Sequence, residues 1–357
     1  MPQKMTEQRR RTAFIIGGTG QVGTAVAHRL LADDWSLLIA HRGEHHGDPA
    51  MAEHDVTTVR LDRDDTDVLL DLARGHDLVL DTVAYDRAHA RQLARLAGDV
   101  GSLVVISTAS VYRDDRGRNL DTATDAESFP EFPVPIGEDQ PTIEGDLATY
   151  SGQKADVERA LLAVDGLPVS ILRAGAIHGP YSSMLREWFF IKRARDGRKR
   201  VVLAYDGASR FSTIATANLA ELVALCAQRP GVRTLNAADE EELSAGEIAG
   251  TVYEAMGRDL DVVGLDGPPN GDLGANPWGV PRPLVLDMQR AKDELGYRQP
   301  VSYRDAVKAD VEWMTDVVDG AARRQQTWRD LFPTLVERYG ADAWFDYEAE
   351  DAYLSRS

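Results

Sequence analysis

The stretch Phe14-Ile15-Ile16-Gly17-Gly18-Thr19-Gly20-Gln21-Val22-Gly23 constrains this chain more than any other. A short apolar run breaks into glycines, and from Gln21 the apolar residues Val22, Val26 and Leu30 recur at helical spacing. The pattern predicts a strand, a tight turn and a helix. Gly17 can take turn dihedrals that a side chain forbids. Gly20 lets the backbone come close to a pyrophosphate, and Gly23 lets the helix pack closely on the strand. The amides at the helix start then face the phosphates. Alone the spacing is a weak signal, because glycine turns that bind nothing are common.

The rest of the first half supports it. Ser36–Ala40, Thr57–Leu61, Asp77–Val83 and Leu103–Ser107 read as strands. Helices fall between them, one after Asp62-Arg63-Asp64-Asp65 with Val68, Leu69 and Leu72 on one face, another over Arg87–Ala97. A polar, His-rich loop runs from His41 to Asp55. Such alternation implies an α/β chain with a parallel sheet covered on both faces. Regularity stops at Arg113. Residues 113 to 148 are rich in Asp, Glu, Pro and Gly, and are expected to have little core of their own and to order over a bound substrate as a lid. A helix over Tyr150–Val164 and a strand over Val169–Arg173 follow.

Beyond Pro180 the segments are mixed, with helices expected at Met184–Arg195, Ala215–Gln228, Ser244–Met256, Asp287–Leu295 and Tyr303–Val318. The expected organisation is a dinucleotide-binding domain over residues 1–180, a smaller mixed α/β substrate lobe over 181–320 interleaved with it, and a helical extension over 321–357. Trp328, Leu331, Phe332, Leu335, Trp344 and Phe345 recur at helical spacing there, so the extension should dock on the protein or on a second subunit, which leaves a homodimer open.

Charge narrows the partners. A net charge of −18 argues against a general nucleic-acid binder or an anionic-membrane binder. The single cysteine, Cys226, sits in an apolar helical run and reads as a buried, inert thiol. With no internal disulfide to form and no metal-type Cys/His spacing, no metal is expected and a cytoplasmic address is favoured. The basic N-terminal residues lead into a short apolar run that becomes the first strand, not a signal peptide, and no run is long enough to span a membrane. The basic run Lys192 to Arg200 reads as a solvated helix end and turn.

Chemistry concentrates at Tyr150-Ser151-Gly152-Gln153-Lys154. The i, i+4 spacing puts Tyr150 and Lys154 on one helix face. An ammonium close to the phenol stabilises phenolate and lowers the tyrosine pKa from about 10, which makes a general acid/base usable near neutrality. The strand before the long loop ends in Ile106-Ser107-Thr108-Ala109-Ser110, with hydroxyls at the carboxyl edge where open α/β sheets bind ligands.

Glycine turn, hydroxyl strand end and Tyr/Lys helix come in the order that resembles the extended short-chain dehydrogenase/reductase superfamily, home of nucleotide-sugar epimerases and dehydratases. Ile136-Gly137-Glu138-Asp139-Gln140-Pro141, Leu172-Arg173 through Gly179-Pro180, and Leu295-Gly296-Tyr297 add to the likeness. The resemblance implies a doubly wound parallel-sheet Rossmann fold. It also implies catalytic Thr108, Tyr150 and Lys154, the lysine also binding the nicotinamide ribose. The cofactor would lie against Gly17, Thr19, Gly20, Gln21, Val22 and Gly23. Further cofactor contacts would come from His41, Arg42, Asp62, Arg63 near the adenine, and Ala84 beside the nicotinamide ribose. Substrate would meet Tyr85, Ser110 and His178, with Arg210 and Arg282 as diphosphate-clamping guanidiniums.

Two departures carry weight. The family's NAD-using members usually have an acid at the end of strand two, whereas this chain reads Ala40-His41-Arg42-Gly43 with no acid until Glu44. An arginine suits a 2′-phosphate, so NADP is favoured over NAD. Asn218 stands where the family often has Asp, in a role that looks structural. The His-Arg-Gly ending together with Arg186-Glu187-Trp188 also resembles a sub-branch that includes chloroplast stem-loop RNA-binding proteins, in several of which the catalytic residues are altered. The expectation is therefore an NAD(P)-dependent enzyme of epimerase or reductase type, acting by hydride transfer on a polar small molecule such as a nucleotide sugar. Dehydration is disfavoured because Ala109 and Ser110, not acids, follow Thr108. The alternative is a dinucleotide-binding protein without turnover, RNA-binding or redox-sensing.

Overall fold

Runs of apolar residues with no polar alternation demand burial on both faces, and the computed structural model supplies it. It describes residues 9–43, 48, 50–51, 54–145, 148–340 and 343–356. Glu44, the first acid after strand two, lies outside the described residues.

The strands β1 (Thr12–Ile16), β2 (Ser36–His41), β3 (Val56–Arg60), β4 (Leu78–Asp81), β5 (Leu103–Thr108) and β6 (Val169–Ala174) form one sheet. It is completed by a later strand at Arg233–Ala237, and its order is that strand, then β6-β5-β4-β1-β2-β3, every pairing parallel. The order reverses between β1 and β4, the switch point where such sheets bind ligands. Helices α1 (Gln21–Ala32), α2 (Thr66–Ala73), α3 (Arg87–Ala94) and α4 (Tyr150–Leu162) supply the crossovers. One face packs Val26, Leu30 and Trp35 under α1, the other Leu69, Leu93 and Leu161 under α2, α3 and α4.

After β6 come β7 (Ala176–His178), α5 (Trp188–Arg195), β8 (Arg200–Ala204), β9 (Thr213–Ala215), α6 (Thr216–Gln228), β10 (Arg233–Ala237, the seventh sheet strand), α7 (Ala245–Ala255) and β11 (Asp261–Leu265). Then follow α8 (Gln289–Leu295), α9 (Tyr303–Arg323), α10 (Trp328–Leu331), α11 (Pro333–Tyr339) and α12 (Tyr347–Leu354). The short pairs β7–β9 and β8–β11 are parallel. The later strand β10 thus returns to the main sheet beside β6.

The tail is no separate unit. Helix α9 runs through residue 320, and Trp328, Phe332, Leu335 and Trp344 join the lobe's core with Trp188, Phe190 and Tyr303. The socket is the basic run. Arg193 Nη1 donates to the Trp344 carbonyl at 2.7 Å, and Arg198 Nη2 reaches Glu350 Oε2 at 3.2 Å. The run is thus a docking site for the chain's own tail.

Residues 113 to 148 also differ from expectation. Phe129, Phe132, Ile136 and Ile143 are buried. The Ile136 amide donates to the Val285 carbonyl at 2.7 Å, and Asp114 is buried beneath the Arg118 guanidinium. Scattered apolar residues each find a site, so this segment is anchored to the body of the protein. Among the described residues no helix is long and apolar enough to cross a membrane.

Candidate active site

The glycines of the opening turn play separable parts. Gly17 has φ +81°, and a Cβ there would lie 2.3 Å from Thr82 Oγ1. A Cβ on Gly23 would lie 2.4 Å from Gly18 Cα and 2.5 Å from the Gly17 carbonyl, so α1 touches the turn backbone to backbone. At Gly20 the nearest atom would be Gly17 O at 3.7 Å. That position is open toward the cleft, and Gly20 precedes α1 with no side chain capping the helix. The first helical amides face the cleft without a side-chain acceptor, which fits a phosphate-bearing ligand.

A cleft of about 930 Å³ runs along the carboxyl edge of the sheet. It is lined by Gly17, Thr19, Gly20, Gln21, Val22, His41, Arg42, Asp62 and Arg63 on the side of β1–β3, and by Tyr85, Thr108, Ser110, Tyr150 and Lys154 opposite. The glycine turn, the end of β5 and the start of α4 therefore share one cavity. His41 Nδ1 is buried without a hydrogen-bond partner.

Thr108 ends β5 and its Oγ1 accepts from the Ser110 amide at 3.2 Å. Ser151 Oγ donates to Ser110 Oγ at 2.9 Å, and Thr108 Oγ1 lies 3.1 Å from Ser110 Oγ. This hydroxyl chain ties the end of β5 to the first turn of α4. Thr149 caps that helix by accepting from the Gly152 amide at 3.1 Å. Tyr150 opens the helix at 38% exposure, while Lys154 one turn later is buried. Lys154 Nζ donates to the carbonyls of Ala84 and Ile106, each at 2.9 Å, and stands 4.8 Å from the Tyr85 ring centre. Burial lowers the Lys154 pKa to about 8, against the pull of Asp81 and Glu158.

Beneath this layer, Arg173 grips Glu158 with Nη2 at 2.7 Å and Nε at 3.1 Å from Oε2, and Ser107 Oγ donates to the same carboxylate. Glu158 lies one turn beyond Lys154, a spacing visible in the sequence and not used there. Asp121, from the long segment, lines the cleft and accepts from the Ser151 amide at 3.3 Å. Tyr181 and Arg186 also line it, on the lobe side.

Several expected site residues are placed differently. Ala84 is fully buried and contributes its carbonyl, through Lys154, and no side-chain surface. Gly23 shapes the turn from behind the lining. Arg63 lines the cleft, but its guanidinium is engaged by Asp81 at 2.9 Å and Gln92 at 3.0 Å. Arg210 is exposed beside Glu242, outside the cleft lining. Arg282 Nη1 donates to the carbonyls of Ala126 and Phe129 at 2.7 and 2.8 Å, so it fastens the long segment and no diphosphate. His178 is 1% exposed and absent from the cleft lining. Its Nδ1 is 2.7 Å from Asp310 Oδ2 and its Nε2 is 3.3 Å from Asp239 Oδ2. Asn218 is structural as expected, its Nδ2 donating to Asp239 Oδ1 at 2.7 Å.

Comparison with known proteins gives the fold and the family. None of the curated proteins matches the sequence. Among solved structures, UDP-N-acetylglucosamine 4-epimerase from Methanobrevibacter ruminantium is similar at TM-score 0.66 and 17% identity, over 87% of this chain and 99% of that one. dTDP-glucose 4,6-dehydratase from Bacillus anthracis, in complex with NAD, is similar at 0.64 and 16%, over 86% and 97%. The enzyme WbmG from Bordetella bronchiseptica, in complex with NAD and UDP, is similar at 0.65 and 19%, over 87% and 96%. At these identities the likeness establishes the fold. Residues 13–238 match the NAD dependent epimerase/dehydratase family, and the chain belongs to it.

Proposed function

We propose that this protein is an NAD(P)-dependent enzyme acting on a hydroxyl or carbonyl carbon of a nucleotide sugar or related polar metabolite, by epimerase or reductase chemistry. The observation that carries the reading is the convergence of Thr108, Tyr150, Lys154 and the open Gly20 turn on one cleft. When bound, a nicotinamide dinucleotide supplies hydride acceptance and return. Tyr150 takes or returns the proton of the substrate hydroxyl, its phenol being half-exposed to the cleft. Thr108 Oγ1, fixed by the hydroxyl chain, holds the same oxygen. Lys154 has two of its three N–H bonds on carbonyls, which leaves one for a ribose hydroxyl, and its charge stabilises phenolate. Arg42 favours NADP, and Arg60 Nε, donating to the Arg42 carbonyl at 3.2 Å, adds a second guanidinium at that end of the sheet.

The test is to denature the purified protein, identify any released dinucleotide, and assay a panel of UDP- and dTDP-sugars. Tyr150→Phe should lower turnover by roughly 10²–10⁴-fold while leaving dinucleotide affinity within about twofold. Wild-type turnover in that variant, or no dinucleotide binding at all, overturns the proposal.

A further inference from the structure

His178, displaced from the cleft, sits in a second and wholly buried constellation. His178, Glu187 and Asp310 each offer a ligand atom, and the three atoms lie within 4.8 Å of one another. All three residues are at most 1% exposed. They come from β7, from the residue preceding α5, and from the middle of α9, which the fold brings together behind the cleft wall.

Two features of this group suit it to a cation. First, Glu187 Oε2 and Asp310 Oδ1 are buried with no hydrogen-bond partner among the described residues. An orphaned carboxylate oxygen in an interior is costly and rare. Second, three carboxylates, Glu187, Asp239 and Asp310, surround one imidazole.

The surroundings have the layout of an outer coordination shell. Metal-bound histidines hand their second ring nitrogen to a carboxylate, which fixes the ring and the tautomer. Here His178 Nε2 faces Asp239 Oδ2 at 3.3 Å. Asp239 is itself held by Thr213 Oγ1 at 2.8 Å, the Ala215 amide at 3.0 Å and Asn218 Nδ2 at 2.7 Å. On the other side, Tyr303 OH donates to Glu187 Oε1 at 3.2 Å, leaving Oε2 as the unmet oxygen. The 2.7 Å between His178 Nδ1 and Asp310 Oδ2 is a hydrogen-bond distance, and neighbouring donors around one ion with bonds of about 2.0–2.2 Å stand roughly 3.0–3.5 Å apart, so these two groups part by less than about 1 Å to take a cation between them.

We propose that His178 Nδ1, Glu187 and Asp310 form a structural binding site for one divalent transition ion, Zn²⁺ or Mn²⁺, with Asp239 orienting the histidine. An imidazole with two carboxylates suits these ions better than Ca²⁺, which takes six or more oxygens. The site fixes the lobe to the sheet next to the cleft, since Ile177 and Arg186, the chain neighbours of His178 and Glu187, both line it. Sequence spacing could not disclose it, because its ligands stand at positions 178, 187 and 310.

The experiment uses the full chain, purified without a polyhistidine tag. Elemental analysis should find one equivalent of Zn or Mn in the wild type. Chelation should lower Tm by about 3 °C or more, with recovery on adding Zn²⁺ or Mn²⁺ alone. Asp310→Asn and Glu187→Gln should lose the stoichiometric ion. Asp239→Asn should keep the ligands and weaken affinity roughly 10- to 100-fold. A wild-type protein free of metal, whose Tm responds to neither ion, overturns the proposal. Metal retained in both ligand variants overturns it as well. The wild-type measurements decide even where a variant fails to fold.

Discussion

Two glycines three residues apart in sequence, Gly20 and Gly23, should respond to alanine in opposite ways. A Cβ on Gly23 meets only backbone, Gly18 Cα at 2.4 Å, the Gly17 carbonyl at 2.5 Å and Gly18 C at 2.8 Å. No rotamer can relieve these overlaps, so α1 must shift off the turn. Overpacking of this kind costs about 1–3 kcal/mol, and rigid neighbours put Gly23→Ala at the upper end. Its Tm should fall by roughly 5 °C. Gly20 has φ −85° and ψ 175°, which alanine adopts freely, and its Cβ would meet nothing closer than 3.7 Å. Restriction of the unfolded chain adds about 0.4–1 kcal/mol, and alanine's poorer helix capping offsets most of it. Stability of Gly20→Ala should therefore stay within about 2 °C of wild type. The same Cβ occupies the space a pyrophosphate needs, and losing one charge-assisted contact of about 1.5–3 kcal/mol weakens binding some 10- to 150-fold. Scanning fluorimetry for Tm and calorimetric titration with NAD⁺ and NADP⁺ read both quantities. A Gly20→Ala protein that binds like wild type would refute the assignment of this turn to the phosphates.

Lys154 gives a pH signature with two signs. Its pKa is lowered by burial from 10.5 to about 8, so the native protein loses the charge as pH rises through 8, and dinucleotide affinity should fall up to tenfold per unit above that. The unfolded chain keeps its proton to about 10.4, so stability should rise over the same window, and Lys154→Met should remove both trends. Arg193→Ala strips the buried partner of Glu350 and the donor to Trp344, which costs about 3 kcal/mol and should expose the tail to limited proteolysis near residue 340; a tail that stays resistant would refute the socket. Arg42→Ala should erase a roughly 10- to 100-fold preference for NADP(H) over NAD(H), and equal affinities in the wild type would refute that reading.

The first half of the fold was legible because each buried strand is a local apolar run and each crossover helix has its own stripe. Several strands of the second half have no such mark. Thr213–Ala215 and Ala176–His178 are three residues long, and Arg233–Ala237 carries polar residues at Arg233, Thr234 and Asn236. What makes Arg233–Ala237 a strand is its partner β6, not its own composition. The long segment failed as a coreless lid for a related reason. Its average composition is polar and Pro-rich, yet the averages hide four apolar anchors, and Asp114, a surface residue by type, is buried by accepting from the amides of Arg116, Arg118 and Glu131.

Site residues divide along the same line. The glycine turn and the Tyr150–Lys154 pair are short-range patterns, visible in the spacing of a few residues, and both line the cleft. An arginine is different, because its guanidinium goes wherever the fold offers an acceptor. Arg282 finds carbonyls 153 and 156 positions away, and Arg63 finds a carboxylate 18 positions away, neither of which its neighbours in sequence foretell. The basic run makes the point most sharply. Between Lys192 and Arg200 it looks like a cationic surface, yet the chain holds 58 acids against 40 Lys and Arg. With acids in such excess a cluster of cations meets carboxylates of its own chain before it meets a polyanion. Here those carboxylates include Asp196, Asp261 and Asp319 as well as Glu350 and Asp351, the last two more than 150 positions beyond Arg198, and the outcome is a docked tail. In an acidic chain, then, a basic run predicts an internal contact first, with carboxylates near and far along the same sequence.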